Sequence, residues 1–143
     1  IRKGWEGLTH LLPDGGKDED YIWPLTRKNT HAIDRSGGTV LHTSRTNPSR
    51  MTGAKLPSHL SPEQLEKLRS GEDTYDFTPI VLQNLERLRI DTLIAIGGDD
   101  TLSYAARLDR EGFPVVAIPK TMDNDVRNTE YCIGFSMAIT RAK

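Results

Sequence analysis

"IGGDDTLSYAARL" (residues 96–108) closes an apolar run on two glycines and then sets two carboxylates and a threonine side by side. The run before it, "DTLIAI" (91–96), is nearly continuous in apolar residues, as a strand covered on both faces requires. A second such run, "FPVVAIP" (113–119), follows, and the intervening "TLSYAARLDREG" holds helix formers that stop at Gly112. Strand, helix and strand predict a βαβ unit whose strands are parallel neighbours or near-neighbours. In such sheets ligands bind beyond the carboxyl ends of the strands. Both "GGDDT" (97–101) and "PKTMDND" (119–125) fall there.

Gly97 and Gly98 let the backbone turn sharply and approach a ligand, while the helix that follows points free N–H groups at the turn. That geometry favours a phosphate. Asp99 and Asp100 would repel a bare phosphate, so at least one of them is expected to meet it through Mg²⁺, which commonly uses one or two carboxylates plus substrate phosphates. The plainer alternative makes Asp100 or Thr101 simply the N-cap of the helix. In the second cluster Asp123 and Asp125 alternate, so an extended backbone would point them the same way. Lys120 and Thr121 add a cation and a hydroxyl. A carboxylate beside a phosphate and a hydroxyl acceptor serves as general base, and a cation stabilises charge on the transferring group. Alone, the segment also reads as an Asp- and Asn-rich turn; two clusters at adjacent strand ends favour the functional reading.

The rest of the chain frames this unit. Its 143 residues are 36% apolar, and 19 Lys and Arg against 20 Asp and Glu leave a net charge of −1. This length suits one folded domain. There is no basic block to suggest a nucleic-acid arm or membrane patch, and no apolar run approaches the roughly 20 residues of a membrane span. A single cysteine, Cys132, excludes an internal disulfide and favours a cytoplasmic setting. Beginning at Ile1 and stopping within the helix-like "GFSMAITRAK" (134–143), the chain reads as a fragment.

Residues 1–32 suggest a loop and a short helix, and "TVLHT" (39–43) a short strand before an Arg-bearing loop. Arg45 in that loop has the fork that grips phosphate oxygens, though an exposed Arg is commonly just solvated. Residues 50–75 have the composition of a surface connection. Within them Ser61, Pro62 and Gln64 form a capping-box signature for a short helix that ends before Gly71. A further helix is expected from Thr78 or Pro79, with Val81, Leu85 and Leu88 on one face. His10, His31, His42 and His59 lack metal-ligand spacing and read as loop or surface residues. Trp5, Trp23 and Cys132 read as packing residues.

Together these pieces resemble the phosphofructokinase family. "GWEGL" (4–8), "GGTVLHTSR" (37–45), "IGGDDT", "GFPVVAIPKTMDND" (112–125) and "EYCIGFSMAI" (130–139) carry the resemblance over most of the chain outside 50–75. "GGDDT" alone is weak, because diguanylate cyclases carry "GGDEF" and diacylglycerol and NAD kinases carry "GGDGT"; its pairing with "PKTMDND" is specific. The resemblance implies an α/β fold: a parallel-sheet, three-layer phosphoryl-donor lobe, here 1–143, incomplete at both ends. It implies phosphorylation of the 1-hydroxyl of fructose 6-phosphate to fructose 1,6-bisphosphate, with Mg²⁺. Asp99 would be the metal ligand, Asp123 the general base and Asp125 its supporting carboxylate. Thr121 would bind the sugar or transferring phosphate, and Gly97, Gly98 and Arg45 would lie along the donor, beside Asp100 and Thr101. The complete protein is expected to be a cytoplasmic homo-oligomer with no nucleic-acid or membrane partner. The 143-residue chain by itself, lacking the upstream phosphate loop and the sugar lobe, is expected to be inactive.

Asp100 bears on the donor. ATP-using members typically have glycine there, which leaves room for the nucleotide's α-phosphate. An aspartate fills the space and adds repulsion of about 4 kcal/mol for unit charges roughly 4 Å apart at an effective dielectric near 20. Lys120 is glycine in many ATP users and resembles pyrophosphate-dependent members, although lysine also occurs in some ATP types. Pyrophosphate is therefore the expected donor and ATP the alternative. A catalytically silent sugar-phosphate-binding paralogue is the non-enzymatic reading; loss of Asp99 or Asp123 would mark it, and both are present.

Overall fold

The computed structural model describes residues 1–16 and 18–142. Lys143, at the end of the expected C-terminal helix, lies outside the described residues. The chain divides into two compact units, 1–88 and 89–143, where length alone suggests one. The boundary follows a helix end, and Arg89 there takes a left-handed backbone with φ of 53°.

The first unit is helical and turn-rich. Its elements are α1 (Trp5–Thr9), α2 (Asp18–Tyr21), α3 (Arg27–Thr30), α4 (Pro62–Lys67) and α5 (Thr78–Arg87), with three short 3₁₀ turns. α4 begins as its sequence requires: Ser61 Oγ accepts from the Gln64 N–H, and the Gln64 side chain accepts from the Ser61 N–H. α5 starts where Asp76 accepts from the Thr78 N–H at 2.9 Å. It buries Val81 and Leu85 as its spacing predicts, whereas Leu88 is only half-buried. Leu8, Leu11, Met51 and Phe77 complete a closed core with them, and Trp5 is buried as a packing residue. Asn84, on the same face, donates to the Leu8 carbonyl at 2.8 Å, satisfying a buried polar pair.

Residues 50–75 leave and return at one point, because Met51 and Tyr75 exchange both backbone hydrogen bonds at 2.9 Å. "TVLHT" is not a strand. A strand needs a ladder partner, whereas this segment takes one isolated bond from the Lys3 N–H to the Leu41 carbonyl and closes a turn from the His42 N–H to the Thr39 carbonyl, with His42 left-handed at φ 60°. His10 also departs from the surface expectation. It is half-buried at the end of α1 beside Thr9, and burial holds its imidazole below the ordinary histidine range.

The second unit is α/β. Its sheet is parallel with order β1-β2-β3, formed by β1 (Leu93–Gly97), β2 (Val115–Thr121) and β3 (Ile133–Gly134), joined by α6 (Asp99–Arg110) and followed by α7 (Phe135–Ala142). α6 packs on β1 and β2 through Tyr104, Ala105 and Leu108, all buried. Within these 143 residues the strands are covered on one face, by α6. Ala95 and Gly97 are buried, but Ile94 and Ile96, which alternate with them, are 61% and 52% exposed, and Val116, opposite Ile94, is 52% exposed. Within these 143 residues one face of the sheet carries α6 and the other presents apolar side chains.

Candidate functional site

β1 and β2 run in parallel register from Leu93↔Val115 to Gly97↔Pro119. β1 therefore ends opposite Pro119, two residues before β2 ends at Thr121. One step beyond, a Cβ placed on Gly98 would lie 3.9 Å from the Lys120 carbonyl, so the "GGDD" turn and the "KT" strand end are in immediate proximity. β2 continues further than expected, through Pro119 and Lys120 to Thr121. Pro119 is tolerated because it sits where β1's ladder stops and β3's begins, at Lys120↔Ile133.

α6 starts at Asp99 with Gly98 as its N-cap, and no side chain caps it. Asp100 and Thr101 are thus inside the first turn, which corrects the reading of either as the cap. Asp99 and Asp100 are exposed there, where negative charge complements the helix's positive end. The first-turn N–H groups lack intrahelical acceptors and face the turn. Thr101 has a different task. A Cβ on Gly97 would come within 2.6 Å of Thr101 Cβ, so the glycine at the strand end is required by the threonine packed over it.

Beyond β2 the chain bends at Met122 and Asp123, and Asn124 adopts a left-handed backbone with φ of 53°. Asp123 and Asp125 are both exposed, but the extended alternation expected to align them is broken by this bend. Asp123 is held instead by Thr121. The Thr121 hydroxyl donates to Asp123 Oδ2 at 3.2 Å and accepts from the Asp123 N–H at 3.1 Å. Lys120 is exposed beside them. β3 closes behind Thr121, where Gly134, at φ 105°, pairs with it; a side chain there would be strained.

Arg45 belongs to the first unit. It lies exposed in an irregular loop, its carbonyl accepts from the Lys55 ammonium, and neighbouring Ser44 accepts from the Glu6 N–H.

Among the described residues no three or more His, Cys, Asp or Glu side chains gather as a cation cage. No helix among the described residues is long and apolar enough to cross a membrane.

The reading from residues did not single out Asn124 and Gly134. Their signal is weak in sequence: Asn between two aspartates suggests a turn, and only coordinates reveal what its amide bonds.

A phosphofructokinase family model matches residues 1–143. The chain is 32% identical to the pyrophosphate–fructose 6-phosphate 1-phosphotransferase of Dictyoglomus thermophilum over 97% of its own length and 31% of that protein's. It is 40% identical to the enzyme of the same name from Thermoproteus tenax, covering 99% of this chain and 33% of that protein. It is also 33% identical to ATP-dependent 6-phosphofructokinase 3 of Streptomyces coelicolor, over 99% of this chain and 32% of that protein. The chain thus spans about a third of the length of these curated relatives.

Proposed function

Because this chain belongs to the phosphofructokinase family, we propose that the protein carrying it phosphorylates the 1-hydroxyl of fructose 6-phosphate, with pyrophosphate preferred to ATP as donor. The observation that supports the reading is the parallel register of β1 and β2, which brings the "GGDD" turn after β1 beside the Lys120–Thr121 end of β2. Residues 1–143 would form part of the donor-binding lobe, and the 143-residue chain alone would not turn over.

In this reading the turn of Gly97 and Gly98 and the uncapped start of α6 receive the donor's phosphates. Asp99, with phosphate oxygens and water, would hold Mg²⁺, which supplies neutralisation of phosphate charge. Asp123 accepts the proton of the sugar hydroxyl as that oxygen attacks the transferring phosphorus and the bridging P–O bond of pyrophosphate breaks, releasing inorganic phosphate. Asp125 supports it electrostatically. The Thr121 hydroxyl orients the Asp123 carboxylate and contacts the sugar or transferring phosphate, and Lys120 offsets the charge that builds on the phosphoryl group. Asp100 occupies space that a nucleotide would need, which is the reason for preferring pyrophosphate; the relatives of both donor types leave this choice to the residues themselves.

Replacing Asp123 by Asn in the full-length protein tests the assignment. Turnover of fructose 6-phosphate is expected to fall by about 10²–10⁴, with the folded state intact. Near-normal turnover would remove Asp123 from the base role.

A further inference from the structure

We propose that Asn124 is a positioning residue of the phosphoryl-transfer loop, whose amide clamps the loop so that the flanking carboxylates Asp123 and Asp125 are displayed to the ligands. This rests on the function proposed above. The amide uses both halves on backbone several residues ahead: Oδ1 accepts from the Cys132 N–H at 2.8 Å, and Nδ2 donates to the Glu130 carbonyl at 3.2 Å. An N–H partner demands the oxygen and a carbonyl partner the nitrogen, so the amide has one orientation.

The clamp lies just above the ladder that closes the loop's base, at Lys120↔Ile133 and Thr121↔Gly134. Cys132, its far anchor, is buried immediately before β3. Asn124 is itself half-buried while its two neighbours are exposed, so the inward tie of one side chain leaves the two carboxylates facing out. The left-handed backbone, φ 53°, is what allows this, and Asn adopts it more readily than most residues. Asp123 is thereby bracketed, by the Thr121 hydroxyl on one side and by the fixed backbone of Asn124 on the other. A base must stay within hydrogen-bond reach of its proton, so a loosened loop costs turnover before it costs binding.

The test compares Asn124→Gly and Asn124→Asp in the full-length enzyme. Glycine keeps the left-handed backbone and deletes both bonds; aspartate keeps the bond from Cys132 and loses the donation to Glu130. For Asn124→Gly, kcat is expected to fall by about 10- to 100-fold with KM for fructose 6-phosphate within roughly threefold. Placed on Asp123→Asn, the same change should add less than about threefold, because it acts through the group already removed. Asn124→Asp should repeat the kcat-specific loss, and it carries the test if the glycine variant does not fold. Unchanged kcat in a folded Asn124 variant, while Asp123→Asn loses turnover, overturns the positioning role and leaves the proposed function standing. A full, additive loss in the Asp123→Asn background also overturns it, since Asn124 would then act elsewhere. Normal turnover in Asp123→Asn would instead count against the proposed function itself.

Discussion

The two units divide labour in opposite ways. Residues 1–88 are irregular in backbone, built from short helices and turns, yet they enclose a core in which Leu8, Leu11, Met51, Phe77, Val81 and Leu85 are almost wholly shielded from solvent. Residues 89–143 have the regular backbone, a parallel ladder with a helix on it, yet Ile94, Ile96, Val116, Ile133, Met137 and Ile139 remain exposed, and every carboxylate of the candidate site is exposed as well. Regular hydrogen bonding and side-chain burial are separate sources of order. The first unit is held by packing; the site in the second is held by register and by the local bonds of Thr121 and Asn124.

That contrast is tested most severely by exchanging the kinds of damage. Phe77→Ala should destabilise by about 3–5 kcal/mol, since it empties a fully buried aromatic site. Denaturant unfolding of the full-length protein measures it, and turnover per folded molecule should stay near normal. Asp123→Asn should do the reverse, abolishing most turnover at nearly unchanged stability. A Phe77→Ala protein with normal stability, or an Asp123→Asn protein that unfolds easily, would erase the distinction.

A smaller effect probes an ion pair of the first unit. Arg87 Nη1 and Nη2 donate to both Asp18 oxygens at 2.8 and 2.9 Å. These bonds, opposed by burial and aided by the guanidinium charge, hold the Asp18 carboxyl below its usual range. A carboxyl depressed on folding contributes stability that is present above its unfolded pKa, about 3.9, and is lost as pH falls through the lower folded value. Asp18→Asn should therefore cost about 0.5–1 kcal/mol near neutrality, after allowance for solvent screening. The gap between parent and variant should close below about pH 4. A gap that persists unchanged in acid would show that the side chain matters for shape rather than charge.

Legibility in the sequence followed the same division. The βαβ unit was readable because two apolar runs and a glycine-stopped helix pattern are local signals, and α4 was readable because Ser61, Pro62 and Gln64 write its cap in adjacent letters. "TVLHT" has strand composition but no ladder, and composition cannot supply a partner. α3 escaped notice although Thr26 and Asn29 cap it reciprocally, because Asn in place of Glu or Gln hides the capping box. At the site, the sequence pointed to the carboxylates and to the adjacent strand ends that carry them. The bend at Met122–Asp123 and the Asn124 clamp depend on bonds to residues 130 and 132, so no local pattern announces them.

Phosphoryl transfer and the part of Asp100 in choosing its donor meet in a single assay. Initial rates of fructose 1,6-bisphosphate formation by the full-length protein, with Mg²⁺ and fructose 6-phosphate fixed and pyrophosphate or ATP supplied in turn, test both directly when repeated on Asp100→Gly. A clear preference for pyrophosphate is expected in the parent, with a gain of ATP use in the variant. A parent that prefers ATP would contradict the donor assignment, and a protein that phosphorylates fructose 6-phosphate with neither donor would contradict the proposed function.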